Sequence, residues 1–121
     1  MGFAMTALRL ISLPTHAVLE LLGGLTLMVA PFVLGFGAAG LVAAVAIGAL
    51  IVGLALSTAD QDSRSIHIAA HFAFDRGIAI GLLGAALVLG LAGDVTAAAV
   101  FAGASFLQAA LNLTTRYSAR A

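Results

Sequence analysis

Leu25-Thr26-Leu27-Met28-Val29-Ala30-Pro31-Phe32-Val33-Leu34-Gly35-Phe36 runs straight into Gly37-Ala38-Ala39-Gly40, with no charge in it or near it. The uncharged stretch is bounded by Glu20 and Asp60 and extends from Leu21 to Ala59. A hydrocarbon core about 30 Å thick takes about 20 helical residues. The stretch holds two such lengths, so it reads as two membrane spans with a turn near the middle. Gly35 to Gly40 supplies that turn, because glycine ends helices and tolerates left-handed backbone. The spans are expected at 17–36 and 38–57. Pro31, inside the first, removes one backbone donor, and a kink is expected there.

Composition extends this reading to the whole chain. Of its 121 residues, 63% are hydrophobic and 8% are charged, and mean hydropathy is +1.20. A soluble domain carries about 25% charged residues, so most of this exterior must face lipid. The net charge is zero. No basic patch is available for a phosphate backbone, which excludes nucleic acid as a partner. Cysteine is absent, which excludes disulfides, thiolate metal sites and cysteine nucleophiles. Tryptophan is absent and there is one tyrosine, so the aromatic belt is thin.

Outward from the first hairpin, residues 1–15 carry a single charge, Arg9. They show neither the leading positive charge nor the small-residue cleavage site of a secretory signal. Phe3 to Leu13 reads as a short interfacial helix, broken at Pro14-Thr15, with Arg9 reaching the headgroups. The first hairpin is 16–58. The polar run Ser57 to Ser65 is the main loop, and residues 59–70 hold most of it and the start of the next helix, with Asp62 or Ser63 as its N-cap. A second hairpin, 71–113, holds spans at 72–92 and 95–113 around the turn Ala92-Gly93-Asp94. The tail is 114–121. The fold class is all-α integral membrane: four transmembrane helices as two tandem hairpins.

The two hairpins resemble each other. When the chain is slid along itself until His16 falls on His71, Glu20 falls on Asp75, and Leu27, Val33 and Gly35 fall on Leu82, Val88 and Gly90. The same gap-free register puts Ala44 and Gly48 on Ala99 and Gly103. Two-span units return the chain to its starting side, so the copies form a parallel repeat about an axis along the membrane normal. Ala44-x-x-x-Gly48 and Ala99-x-x-x-Gly103 are small-x-x-x-small pairs, which let helices approach closely where lipid is as apolar as leucine. Spans two and four are expected to pack through them. All five basic residues, Arg9, Arg64, Arg76, Arg116 and Arg120, lie on or near the side of the termini, and Asp94 lies on the other. The positive-inside rule puts both termini in the cytoplasm, in the cell membrane.

Polar residues near the bilayer collect at one level. His16 and Glu20 are four apart, and His67, His71 and Asp75 continue that spacing, so each set shares a helix face. Imidazole nitrogens and carboxylate oxygens so placed are ligands for zinc, iron or manganese. His16 and His71 can alternatively be axial ligands of a haem, or the set can relay protons. The plainest expectation is that water and headgroups solvate these groups at the helix entrances, with no cofactor. Ser105, Gln108 and Asn112 share one face of the fourth span. They suit interhelical hydrogen bonds, or a polar lining running inward from the His–carboxylate level. No nucleophile–base spacing, phosphate-binding glycine loop or zincin motif is present.

Ala30-Pro31-Phe32-Val33-Leu34-Gly35-Phe36, with Gly24 and Leu27 ahead of it and 46–56 after it, resembles the signature of the SPW-repeat membrane family. That family is named for a Ser-Pro-Trp tripeptide, replaced here by Ala30-Pro31-Phe32. The short-repeat HdeD-like membrane proteins are a related possibility. The resemblance implies a small integral membrane protein and no reaction. The leading reading is thus a non-enzymatic, multi-pass membrane protein that self-associates as a homo-oligomer in the lipid bilayer, its substrate unidentified. Its rivals are a small transporter or proton-coupled channel using the His–carboxylate pairs, and a haem- or metal-binding membrane protein.

Overall fold

Ser12 opens the first helix. Its Oγ accepts the N–H of Thr15 at 3.3 Å, and Pro14 occupies the first turn, where no backbone donor is needed. In the computed structural model, which describes residues 10–59 and 68–115, four helices follow: α1 (Leu13–Leu34), α2 (Ala38–Ala59), α3 (Ile68–Leu91) and α4 (Val95–Thr114). All four are long and apolar enough to cross a membrane. The chain is a small all-helical membrane protein.

The first span begins earlier than residue 17 because Pro14 starts a helix instead of breaking one. Residues 3–9 of the expected interfacial helix lie outside the described residues, and Leu10 to Ser12 are not helical. The N–H groups of Leu10 and Ile11 donate to Thr114 O at 2.9 and 3.0 Å, and Ile11 bridges Thr115. The loop with Asp62, Ser63 and Arg64, the candidate His67, Arg9 and the tail from Arg116 are likewise outside the described residues.

Gly35 ends α1 at φ +74°, a conformation that L side chains avoid, and returns its N–H to Pro31 O at 3.0 Å. Pro31 falls in the last turn, so only Phe32 to Leu34 lie beyond the expected kink. Gly93, at φ +93°, makes the matching turn before α4. Asp94 then joins the two turns. Its Oδ1 caps α4 through the Ala97 N–H at 3.1 Å, and its Oδ2 accepts the Gly37 N–H at 2.8 Å.

Helix α1 packs along α2, and α3 along α4; α2 with α3 and α1 with α4 touch more loosely. Between α1 and α2 the approach is close. A Cβ on Gly48 would lie 2.5 Å from Met28 Cγ and 2.8 Å from Gly24 O. The core beneath the turns is formed by Leu27, Phe36, Ala44, Leu82, Leu89 and Phe101, the two phenyl rings 6.3 Å apart.

Burial corrects the expected register in its second half. His16, Glu20, Gly24, Leu27 and Pro31 are buried in α1, and their counterparts in the register of His16 on His71, namely His71, Asp75, Ala79, Leu82 and Ala86, are buried in α3. In α2 the buried positions include Gly40, Ala44, Gly48, Ile51, Ala55 and Thr58. They fall one for one on Ala97, Phe101, Ser105, Gln108, Asn112 and Thr115, buried at the far end of the chain, in a register that sets Ala44 on Phe101 and not on Ala99. Two extra residues at the end of α3 shift the frame. On a helix of 3.6 residues per turn, two residues rotate a side chain by about 200°. Ala99 and Gly103 consequently face outward: Ala99 is exposed, and a Cβ on Gly103 would meet nothing within 4 Å. Gly48 lies against Gly24 and Met28 of α1, and Ala44 is fully buried. The expectation for Ala99 and Gly103 fails within this bundle.

Candidate metal centre

His16 and His71 stand in the first turns of α1 and α3, with Glu20 and Asp75 one turn further in. The two helices face each other across the bundle, so the pairs meet. His16 Nε2 lies 2.9 Å from Asp75 Oδ2 and 3.5 Å from Glu20 Oε2. His71 Nε2 lies 3.3 Å from Glu20 Oε1 and 3.2 Å from Asp75 Oδ2. One ligand atom from each residue falls within 4.8 Å of all the others, and the imidazole rings meet edge to face at 5.6 Å. Exposure is 0% for His16, 2% for Glu20, 3% for His71 and 0% for Asp75. Solvation at the helix entrances, expected from shallow positions in the sequence, is overturned. Shallow groups escape water when their helix face is turned inward.

The other two helices orient the histidines. Thr58, near the end of α2, lies 2.6 Å from His71 Nδ1 through its Oγ1. Thr115, just past α4, lies 2.7 Å from His16 Nδ1 in the same way. Each hydroxyl has one hydrogen, and each spends it on its own helix: Thr58 Oγ1 donates to Leu54 O at 3.1 Å and Thr115 Oγ1 to Leu111 O at 2.6 Å. Both hydroxyls therefore accept from the rings. This assigns the proton to Nδ1 in both histidines and aims both Nε2 atoms at the carboxylates. Neither threonine stood out in the sequence. Their signal was a position one helix end away from a histidine, which is visible only once the helices are paired.

Gln108 closes the cluster from α4. Its Nε2 donates to Glu20 Oε2 at 3.2 Å and to Asp75 Oδ1 at 3.3 Å, so one amide spans both carboxylates. Asn112 donates to Phe72 O at 3.4 Å and accepts from Arg76 Nη2 at 3.3 Å, and the Arg76 guanidinium lies 4.9 Å from the centre of the Phe72 ring. Ser105 Oγ donates to Ala79 O at 2.6 Å, linking α4 to α3. The face of Ser105, Gln108 and Asn112 thus makes interhelical bonds along its length, and Gln108 reaches both cluster carboxylates. Thr26 remains outside the cluster, its hydroxyl donating to Leu22 O at 2.7 Å.

Chemically, the centre gathers two imidazole nitrogens and two carboxylates, each backed by a partner that fixes its direction, as metal ligands are. Comparison with protein-family models, curated proteins and solved structures found no match to this chain, so the likeness to the SPW-repeat family rests on the quoted residues of the first hairpin.

Proposed function

We propose that this chain is a small, non-enzymatic membrane protein that holds one divalent first-row metal ion between His16, Glu20, His71 and Asp75. The observation that carries the reading is the direction of the donors. Threonine hydroxyls take the Nδ1 protons, so each Nε2 faces inward and would offer its lone pair to an ion that displaces its proton. Gln108 spends its amide hydrogens on the carboxylates from outside, leaving their remaining lone pairs to face the histidines. Four electron-rich groups converging in a buried site call for positive charge at their centre. A divalent ion with two neutral imidazoles and two carboxylates sums to zero, the least costly total inside a bilayer.

Size supports the same reading. Ligands about 2.1 Å from a tetrahedral ion stand about 3.4 Å apart; His16 Nε2 and His71 Nε2 lie 2.9 and 3.2 Å from the same Asp75 oxygen, and one ligand atom from each of the four residues falls within 4.8 Å of the others, a spread that a small inward shift on an ion would close. Mixed nitrogen and oxygen donors suit zinc, iron or manganese. A haem between His16 and His71 fits poorly, because both carboxylates already lie against the Nε2 atoms and would have to leave.

The architecture belongs to the same proposal. The matching burial of α1 with α3 and of α2 with α4 supports two tandem hairpins in parallel repeat, each lending a histidine and a carboxylate from its first helix and a threonine near the end of its second. The arginines cluster on the side of the termini, which favours a cytoplasmic face for the site in the cell membrane.

Metal analysis of protein purified in lipid nanodiscs tests the reading. About one zinc, iron or manganese per chain is expected, with X-ray absorption showing nitrogen and oxygen donors at about 2.0–2.2 Å. His71→Ala should abolish binding. A metal-free protein that takes up none of the three ions on titration sinks the proposal and leaves the cluster as a network of His–carboxylate ion pairs.

A further inference from the structure

Between α1 and α4 runs a groove of about 560 Å³, open to the lipid side of the bundle. Its walls are apolar and small-featured, with Gly23 on α1 and Ala99 and Gly103 on α4. A Cβ on Gly23 or on Gly103 would meet nothing within 4 Å, so the space is real at both walls. The polar residues lining it are Glu20, Thr26 and Gln108. Thr26 has committed its hydrogen to Leu22 O. The groove therefore has one polar end, where the Gln108 amide meets Glu20 Oε2. From Glu20 to Ala30 it follows α1 for about 15 Å, at 1.5 Å of rise per residue.

The second groove, between α2 and α3, provides a contrast. It measures about 470 Å³ and is lined by residues such as Ile47, Leu50, Phe74 and Ile78, with no polar side chain. An acyl chain of any bilayer lipid suits the α2–α3 groove. The α1–α4 groove offers an alkyl-lined channel that ends on hydrogen-bonding groups beside the candidate metal.

We propose that the α1–α4 groove binds one single-chain amphiphile with an uncharged, hydroxyl-bearing head, an alcohol or phenol, drawn sideways from the bilayer so that its hydroxyl donates to the side-chain carbonyl of Gln108, whose N–H groups are spent on Glu20 and Asp75. The volume lies within the usual range for ligand sites, about 300–1,000 Å³. The choice of an uncharged head rests on the metal reading, because a divalent ion cancels the charges of Glu20 and Asp75. An anionic head has no hydrogen to give the Gln108 carbonyl, and it would lie one side chain away from the Glu20 carboxylate.

Photo-labelling in nanodiscs tests this with three probes bearing a diazirine on the same alkyl chain: a long-chain alcohol, a fatty acid and a phosphatidylcholine. The alcohol should label peptides from the α1–α4 groove about fivefold more than phosphatidylcholine does, the factor that one net hydrogen bond contributes. Excess unlabelled dodecanol should compete it away. Labelling of the α2–α3 groove should be equal for the alcohol and phosphatidylcholine. Gly103→Leu and Gly23→Leu, which fill open space and leave the cluster untouched, should bring the α1–α4 signal down to the phosphatidylcholine level. Equal labelling by all three probes, preference for the fatty acid, or full labelling in both leucine variants would overturn the proposal. Metal content measured on the same preparations separates the two claims. Selective alcohol labelling of a metal-free protein keeps the groove and removes the ion; a loaded protein without selective labelling does the reverse.

Discussion

Helices α2 and α4 turn corresponding faces to the interior and fill them with different chemistry. Down α2 the face reads Gly40, Ala44, Gly48, Ile51, Ala55 and Thr58; down α4 it reads Ala97, Phe101, Ser105, Gln108, Asn112 and Thr115. Small residues let α2 press against α1 until Gly48 and Gly24 leave no room for a methyl group. The polar residues of α4 instead reach across to Ala79 O, Glu20, Asp75 and Phe72 O. One helix secures its place by close van der Waals approach, the usual means inside lipid. The other does so by hydrogen bonds. Threonine alone holds the same position on both faces, and both threonines hold a histidine.

Gly48 is where this contrast is most vulnerable. Gly48→Leu drives side-chain atoms into Met28 and the Gly24 carbonyl, and a loss of about 3 kcal/mol or more is expected from such overpacking. Gly103→Leu, on the outward face of α4, should leave thermal unfolding in detergent unchanged. Similar losses in the two variants would restore the register of Gly48 on Gly103 that the burial pattern rejects.

The feature common to both helices gives the next largest effect. Thr58→Val and Thr115→Val each free one histidine ring to rotate, and loss of such an outer partner lowers metal affinity by about 10- to 100-fold. The two losses should match within a factor of about three, since the hydrogen bonds are alike. Competition titration with a chelating dye measures both. A large effect from one and none from the other would mean that the two halves do not share the ion.

Ser105→Ala tests the smallest term. It removes the bond to Ala79 O, and comparable bonds in membrane bundles average about 0.6 kcal/mol. Urea or detergent unfolding of the purified variant should show a shift of that order, with metal content preserved. Loss of the metal would place Ser105 among the groups that organise the cluster.

The span count was legible because charge is so costly in hydrocarbon that its absence between Glu20 and Asp60 is itself a measurement of length. The pairs His16–Glu20 and His71–Asp75 were legible from helical spacing. Their convergence was not. Which way a helix face points depends on its neighbours, and α1 and α3 are nearly featureless apart from those pairs. The register error at Ala99 and Gly103 has a similar origin. Matches among alanines and glycines are cheap in a chain this apolar, and the two residues added at the end of α3 carry no mark of their own. Thr58 and Thr115, which pair only in the shifted register, are the polar markers that would have revealed the slip.

Asp94 has a mechanical consequence. By accepting the Gly37 N–H it pins the two turns together at the end of the bundle opposite the cluster. The opposite end is tied as well, by Leu10 and Ile11 to Thr114 O, by Thr115 to His16 and by Thr58 to His71, so the first two helices and the last two are fastened to each other at both ends of the bundle.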